Sequence, residues 1–192
     1  MQYSETHYIP AHYEVHPIEK GPKDEQRPGK WRTLFLRLCY KNTNICSEFP
    51  KTMELIRKNV PQASLAILSA LEPGATLPVH KGFYKGVIRY HLGLKCPTNS
   101  KEIKYGVPSC YMVVDHHLHI WEDGKDFMFD DCFPHFVANY TTETRVVLLI
   151  DLPRRFKFIP INWVNQFILR VASVNESTKV LYKNIKKFAN KK

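Results

Sequence analysis

A chain of 192 residues is the size of one domain, and 44% hydrophobic with 24% charged residues is a globular composition. That excludes a collagenous, coiled-coil or largely disordered protein. Twenty-eight Lys and Arg against 18 Asp and Glu give a net charge of +10, so the surface field attracts anions, a property that bears on partners and not on fold. Five cysteines with no pair at two-residue spacing argue against a zinc ribbon or a redox pair, and read as free thiols in a reducing compartment. Met1 to Pro28 has no apolar core of a signal peptide, and no apolar run reaches membrane-spanning length. The expectation is a cytoplasmic protein, with peripheral membrane association through a basic tail as the variant of that reading.

In chain order, residues 1–28 carry Pro10, Pro17, Pro22 and Pro28 among scattered charges and read as an N-terminal arm. Trp31 to Tyr40 reads as a strand, and Pro50 to Val60 as a short helix stopped by Pro61. Ser64 to Leu71 is apolar and turned by Glu72-Pro73-Gly74. Gly86 to Leu94 alternates, with Ile88, Tyr90, Leu92 and Leu94 on one face and Val87, Arg89, His91 and Gly93 on the other. Tyr111 to Val114 and Leu118 to Trp121 are short strands, and Asp123-Gly124 is a hairpin signal before Phe127 to Phe129. Arg145 to Ile150 is a continuous buried strand. Short strands with Gly and Pro punctuation predict a sandwich or jelly roll. Residues 156–192 differ: Trp163, Phe167, Ile168 and Val171 recur at helical spacing, and from Lys179 a basic amphipathic segment surrounds Val180, Leu181, Ile185 and Phe188.

Nine histidines exceed what packing asks for, and several sit in particular settings. His80 follows a presumed strand, and His135 stands at another strand-to-turn junction. Arg89 and His91 share the side of a strand whose opposite side is wholly apolar. Burying either group unpaired is costly, so that inner face is the expected site. Two neutral imidazoles can hold a divalent iron, usually with a carboxylate beside them. Arg145, at the head of a buried strand, offers a planar fork to a carboxylate.

Four ordered segments, His80 to Leu94, Trp121 to Lys125, Phe129 to His135 and Arg145 to Asp151, resemble the aspartyl/asparaginyl β-hydroxylase family over roughly residues 29–155. The resemblance implies an all-β core, a double-stranded β-helix or jelly roll with flanking helices and a basic C-terminal helix. It implies an oxygenase that uses Fe(2+), 2-oxoglutarate and dioxygen to hydroxylate an unactivated carbon, releasing succinate and carbon dioxide. By the family's pattern His80 and His135 are the metal ligands, Arg145 and Ser69 hold the far carboxylate of 2-oxoglutarate, and His91 sits near its metal-bound end. Arg89 faces the pocket toward an acidic substrate group, and Asp130 or Asp131 fixes the tautomer of His135. Such oxygenases usually carry an acid two positions after the first histidine; here that position is Gly82, as in the animal-type members. The Arg89-Tyr-His-Leu-Gly-Leu94 string, Val113-Val114-Asp115 and the pattern of Trp163, Asn165 and Phe167 resemble instead the bacterial lipid A hydroxylase branch, so two substrate classes stay open.

The expected target is the β-carbon of a peptide Asp or Asn side chain. The alternatives are a lipid acyl chain, or a non-catalytic cupin-like binding module. His116, His117 and His119 read as a solvated strand edge, Cys132 as spacer, and the Asn139 and Asn175 glycosylation patterns as incidental. The basic tail reads first as a helix packed on the sheet, second as a contact for anionic lipid, and last as a nucleic-acid contact, since no recognition fold accompanies the charge.

Overall fold

The computed structural model describes residues 29–172 and 176–189, so the expected arm over residues 1–28 lies outside the described residues. The chain runs β1 (Trp31–Leu38), β2 (Lys41–Asn42), a 3-10 turn (Asn44–Glu48), α1 (Pro50–Asn59), β3 (Leu65–Leu71), β4 (Thr76–His80), β5 (Val87–Lys95), β6 (Ile103–Lys104) and β7 (Val107–Pro108). It continues through β8 (Cys110–Val114), β9 (His117–His119), β10 (Asp126–Phe129), β11 (His135–Asn139), β12 (Arg145–Pro153), α2 (Ile159–Val171) and α3 (Glu176–Ala189).

The strands form a six-stranded antiparallel sheet in the order β10-β5-β12-β3-β1-β2 and a four-stranded one in the order β4-β11-β8-β9. Leu71 and Val147 of the first sheet pack with Cys110, Met112, Val114 and Val137 of the second, around Trp121 and Phe129. Neither sheet closes on itself, so what stands is two open antiparallel sheets sharing a core. On the outer face of the larger sheet, Leu68, Leu148 and Ile150 pack with Ile45 and with Ile56 of α1. Because β12 is covered on both sides, it reads as one unbroken apolar run.

The period-two reading of β5 holds: Tyr90, Leu92 and Leu94 pack into the outer cluster, so Arg89 and His91 turn inward. Facing the same way are Ser69 of β3 and Arg145 and Asp151 of β12, all buried. Polar groups concentrated on a face that would otherwise be apolar mark where the protein spends stability on something other than packing.

Two expectations need correction. Asp123-Gly124 does turn the chain, with Gly124 at φ +72°, but the flanking strands do not form a hairpin. β9 belongs to the smaller sheet, while β10 pairs with β5. The loop crosses between sheets because Trp121 and Phe129 are both drawn into the shared core, and because Gly124 and Gly93 are joined backbone to backbone at 2.9 Å. The second correction is to α2. The stripe of Trp163, Phe167, Ile168 and Val171 faces outward, and the helix is seated through Asn162, Asn165, Gln166 and Leu169. Helix α3 packs as first expected, setting Leu181 and Ile185 on Phe35, Leu38, Ile67 and Leu149.

Candidate functional site

β4 ends at His80 and β11 begins at His135, and these two residues face each other across the antiparallel pair. Further along, Val137 pairs with Leu77, a register that would set His135 opposite Val79; the irregularity between His135 and Val137 moves the pairing on by one and brings the histidines together. Their ring centroids lie 4.1 Å apart. Each ring turns Nδ1 toward the carbonyl two residues back, His80 to Pro78 at 2.7 Å and His135 to Phe133 at 2.9 Å. A proton on each Nδ1 leaves each Nε2 as a lone-pair donor, the tautomer that binds metal. Burial lowers the pKa of His135; its bond to the Phe133 carbonyl works the other way, and nearby His80 adds to the depression.

Asp131 is the carboxylate at this pair, with Oδ1 3.4 Å from His135 Nε2. Two lone-pair acceptors at that distance repel unless a proton or a cation lies between them. Gly82 is where the missing acid would stand, and a Cβ there would overlap the Asp131 carboxylate, which fills that space from the turn between β10 and β11. Gly82 N also donates to Asp131 O at 2.7 Å, pinning the two segments. Asp130 is turned away, bonded at 2.6 Å to Arg154.

Arg89 donates from Nη1 to Asp131 Oδ1 at 2.6 Å, and from Nε and Nη2 to Asp151 at 2.8 and 2.9 Å. Asp151 stands directly opposite it in the β5·β12 register. Burial works against the guanidinium's charge, and the Asp151 and Asp131 carboxylates outweigh that, so its pKa is raised. Arg89 therefore links the inner face of the large sheet to the histidine pair on the small one.

Behind the pair, the Phe129 ring meets both His135 and His91 edge-on, with centroids at 5.6 and 5.1 Å. Trp121 Nε1 donates to His91 Nδ1 at 3.4 Å, which puts the imidazole proton on Nε2, a buried atom with no hydrogen-bond partner. Burial, then the Arg145 and Arg89 cations, push the His91 pKa well below its usual value, so the ring is neutral. Arg145 is only 2% exposed; its guanidinium stacks 4.4 Å over Trp121, and its Nε has no partner either. Among the described residues no carboxylate pairs with it. Ser69 Oγ, two strands across from β5, accepts from Trp31 Nε1 at 2.9 Å.

A buried guanidinium and a buried N–H, both without an acceptor, are what a bound carboxylate would satisfy. The residues present thus fit an organic acid. They also fit a metal held by two imidazole Nε2 atoms, although among the described residues no three His, Cys, Asp or Glu side chains converge on one ion. Sequence reasoning missed Asp151, hidden at the end of an apolar run, and the ring of Trp121, whose place between His91 and Arg145 follows only from the loop crossing. Cys132 lies nearby with its thiol pKa raised by burial and by Asp130 and Asp131, which does not make a nucleophile. His117 lies exposed on the edge strand β9, and Asn139 is fully buried, holding backbone carbonyls of Leu71 and Glu143 at 2.9 Å.

Residues 4–155 match the profile of the family described as aspartyl/asparaginyl beta-hydroxylase. An ornithine lipid ester-linked acyl 2-hydroxylase of Rhizobium tropici is 34% identical over 144 residues, which is 74% of this chain and 48% of that protein. A Homo sapiens protein described as aspartate beta-hydroxylase domain-containing protein 2 is 31% identical over 70% of this chain and 37% of its own length. The Homo sapiens aspartyl/asparaginyl beta-hydroxylase is 28% identical over 68% of this chain and 17% of its own. The chain therefore spans half or less of the length of these relatives.

Proposed function

The chain belongs to the aspartyl/asparaginyl β-hydroxylase family, and from that premise we propose that it is an Fe(2+)- and 2-oxoglutarate-dependent hydroxylase of an unactivated carbon, the β-carbon of a peptide Asp or Asn side chain. In this reading the two open sheets are the halves of a double-stranded β-helix, residues 29–155 are the catalytic domain and residues 156–192 its helical, basic tail.

One observation carries the proposal: two cross-strand imidazoles with no hydrogen-bond donor on either Nε2 connect through the Phe129 ring to His91, which shares the Trp121 ring with a buried Arg145 that no carboxylate pairs among the described residues. His80 and His135 would hold the metal through Nε2. Arg145 with Ser69 would take the far carboxylate of 2-oxoglutarate, and the His91 Nε2–H would donate to its other end. When bound, the iron and its cosubstrate supply the oxidising power, with succinate and carbon dioxide as by-products; the chain supplies position and charge. The Phe133 carbonyl orients His135 through Nδ1, and Asp131, itself held by Arg89 and by the backbone of Gly82, sets a carboxylate beside the Nε2 that would meet the metal. Arg89 is locked on two carboxylates and Arg154 on Asp130, so Lys85, beside Cys132, is the cation at this margin that an acidic side chain could meet.

A second substrate, a lipid acyl chain, is favoured by the exposed apolar residues next to the histidines in sequence, Val79, Phe83 and Phe133, and by the Rhizobium relative's printed activity.

The test is succinate release from 2-oxoglutarate by the iron-loaded chain, measured alone, with Asp- or Asn-containing peptides, and with acyl lipids. Peptide-stimulated release that chelation and His135→Ala both abolish is the expected result. Stimulation by lipid alone selects the second substrate. Release that stays absent under every condition, with metal and 2-oxoglutarate bound, would make the chain a binding module instead.

A further inference from the structure

Helix α2 is built inside out. In a helix lying on a globular domain the apolar stripe faces the core and the polar side faces water. Here the side toward the protein is polar: Asn165 is buried and donates to the carbonyls of Gly86 at 2.8 Å and Arg154 at 3.2 Å, while accepting from the Tyr84 hydroxyl at 2.6 Å. Asn162 holds the Phe156 backbone through both its amide atoms at 2.7 and 2.8 Å, and Gln166 accepts from the Tyr40 hydroxyl at 3.1 Å. Outward go Ile159, Val164, Ile168 and Val171, with Trp163 71% and Phe167 67% exposed. A contiguous exposed stripe of that size marks a contact surface.

The charge of the molecule is concentrated in the same stretch of the sequence. Residues 152–192 hold ten of the 28 Lys and Arg and only one of the 18 Asp and Glu, so nine of the ten net positive charges lie in the last 41 residues. Arg155 and Lys157 precede α2, Arg170 closes it, and Lys183, Lys186 and Lys187 stand exposed on α3. Exposed aromatic and aliphatic side chains flanked in sequence by cations, with one acid in the same stretch, complement an apolar layer beneath a negatively charged surface. Asn165 further ties α2 to the loop after His80, whose Phe83 is 95% exposed.

We infer that the outward face of α2 docks on an anionic lipid bilayer, with Trp163 and Phe167 in the interfacial layer and the flanking Lys and Arg on the headgroups. The surface serves a lipid substrate directly, but it rests on the inverted helix and the segregated charge, not on which carbon is hydroxylated.

The test is sedimentation of the purified chain with phosphatidylcholine vesicles, with and without phosphatidylglycerol, together with its tryptophan emission. Binding only to the anionic vesicles, with a blue shift that is lost in Trp163→Ser, is expected. Trp163→Ser with Phe167→Ser should weaken binding about tenfold or more, and raised salt should weaken it further. Both side chains are exposed, so the double variant should melt as the parent does, and Lys183→Glu with Lys187→Glu gives an independent variant of the charge. Binding unchanged in both double variants would overturn the inference. So would a chain that ignores anionic vesicles but forms a dimer that the Trp163/Phe167 variant dissociates, since that result assigns the face to a second copy.

Discussion

Arg145 and His91 set a sharp condition on anything that binds between the sheets, because each leaves a donor buried and unmatched. Hydrogen bonds to charged groups contribute about 1.5–3 kcal/mol each. Arg145→Ala should therefore raise the 2-oxoglutarate requirement roughly a hundredfold. Arg145→Lys should recover only part of that loss, since a point charge cannot replace a planar fork. Titration of succinate release against 2-oxoglutarate reads both variants, and an unchanged requirement in the Ala variant would move that role elsewhere. His91 makes a prediction about pH. Burial and the two nearby arginines depress its pKa in the folded chain, so below about pH 6.5 the unfolded chain binds a proton that the folded one refuses. Its contribution is neutral above that pH and turns destabilising as pH falls, by at most about 1.4 kcal/mol per pH unit. Denaturant unfolding of His91→Phe should consequently lose less stability between neutral and mildly acidic pH than the parent; equal losses would show that another group governs the acid limb.

At the scale of elements, the decisive feature is how β4 and β11 are held in register, and Gly82 is the position that senses it. A Cβ there competes with the Asp131 carboxylate for one space. Gly82→Ala should cost about 1–3 kcal/mol through overpacking and should lower turnover by disturbing Asp131. Asp131→Gly should itself lose the Arg89 ion pair and activity, but in that background Gly82→Ala should cost little further stability, a non-additivity that thermal melts and succinate release can separate. Helix α3 makes a simpler case. Ile185 is buried against the large sheet, so Ile185→Ala should cost about 2–4 kcal/mol in chemical denaturation while leaving the histidine site working. What the sequence disclosed at this scale follows from periodicity. Alternation in β5 separates Arg89 and His91 from Tyr90 and Leu92, because a strand's period of two assigns faces outright. The same logic does not orient α2: the spacing of Trp163, Phe167 and Val171 shows a stripe but not which side meets the protein, and that is decided by what Asn162, Asn165 and Gln166 find to bond. Nor does periodicity show the His80–His135 pairing, which only the family resemblance implies, since the one-residue shift that creates it leaves no mark on the pattern of β11. Asp151 was hidden for a related reason. It ends a run of apolar residues, and its partner Arg89 lies 62 residues away in the chain.

Across the whole molecule, two sheets divide the chemistry. The smaller sheet brings the histidine pair, the larger brings the buried polar face of Ser69, His91, Arg145 and Asp151, and Arg89 spans them through Asp131. The positive charge is set apart again, in the helices that follow β12. Among the described residues no helix is long and apolar enough to cross a membrane, so α2 and α3 have only a surface to offer. Each part of the proposed function is legible from residues that lie far apart in the chain and meet only because the sheets face one another. The most direct measurement of that claim is a crystal structure of the chain with Mn(2+) and a non-reactive 2-oxoglutarate mimic. The account predicts one metal bound by Nε2 of both His80 and His135, with the mimic's far carboxylate on Arg145 and Ser69. A metal that engages neither histidine, or a mimic that leaves Arg145 without a carboxylate, would contradict it.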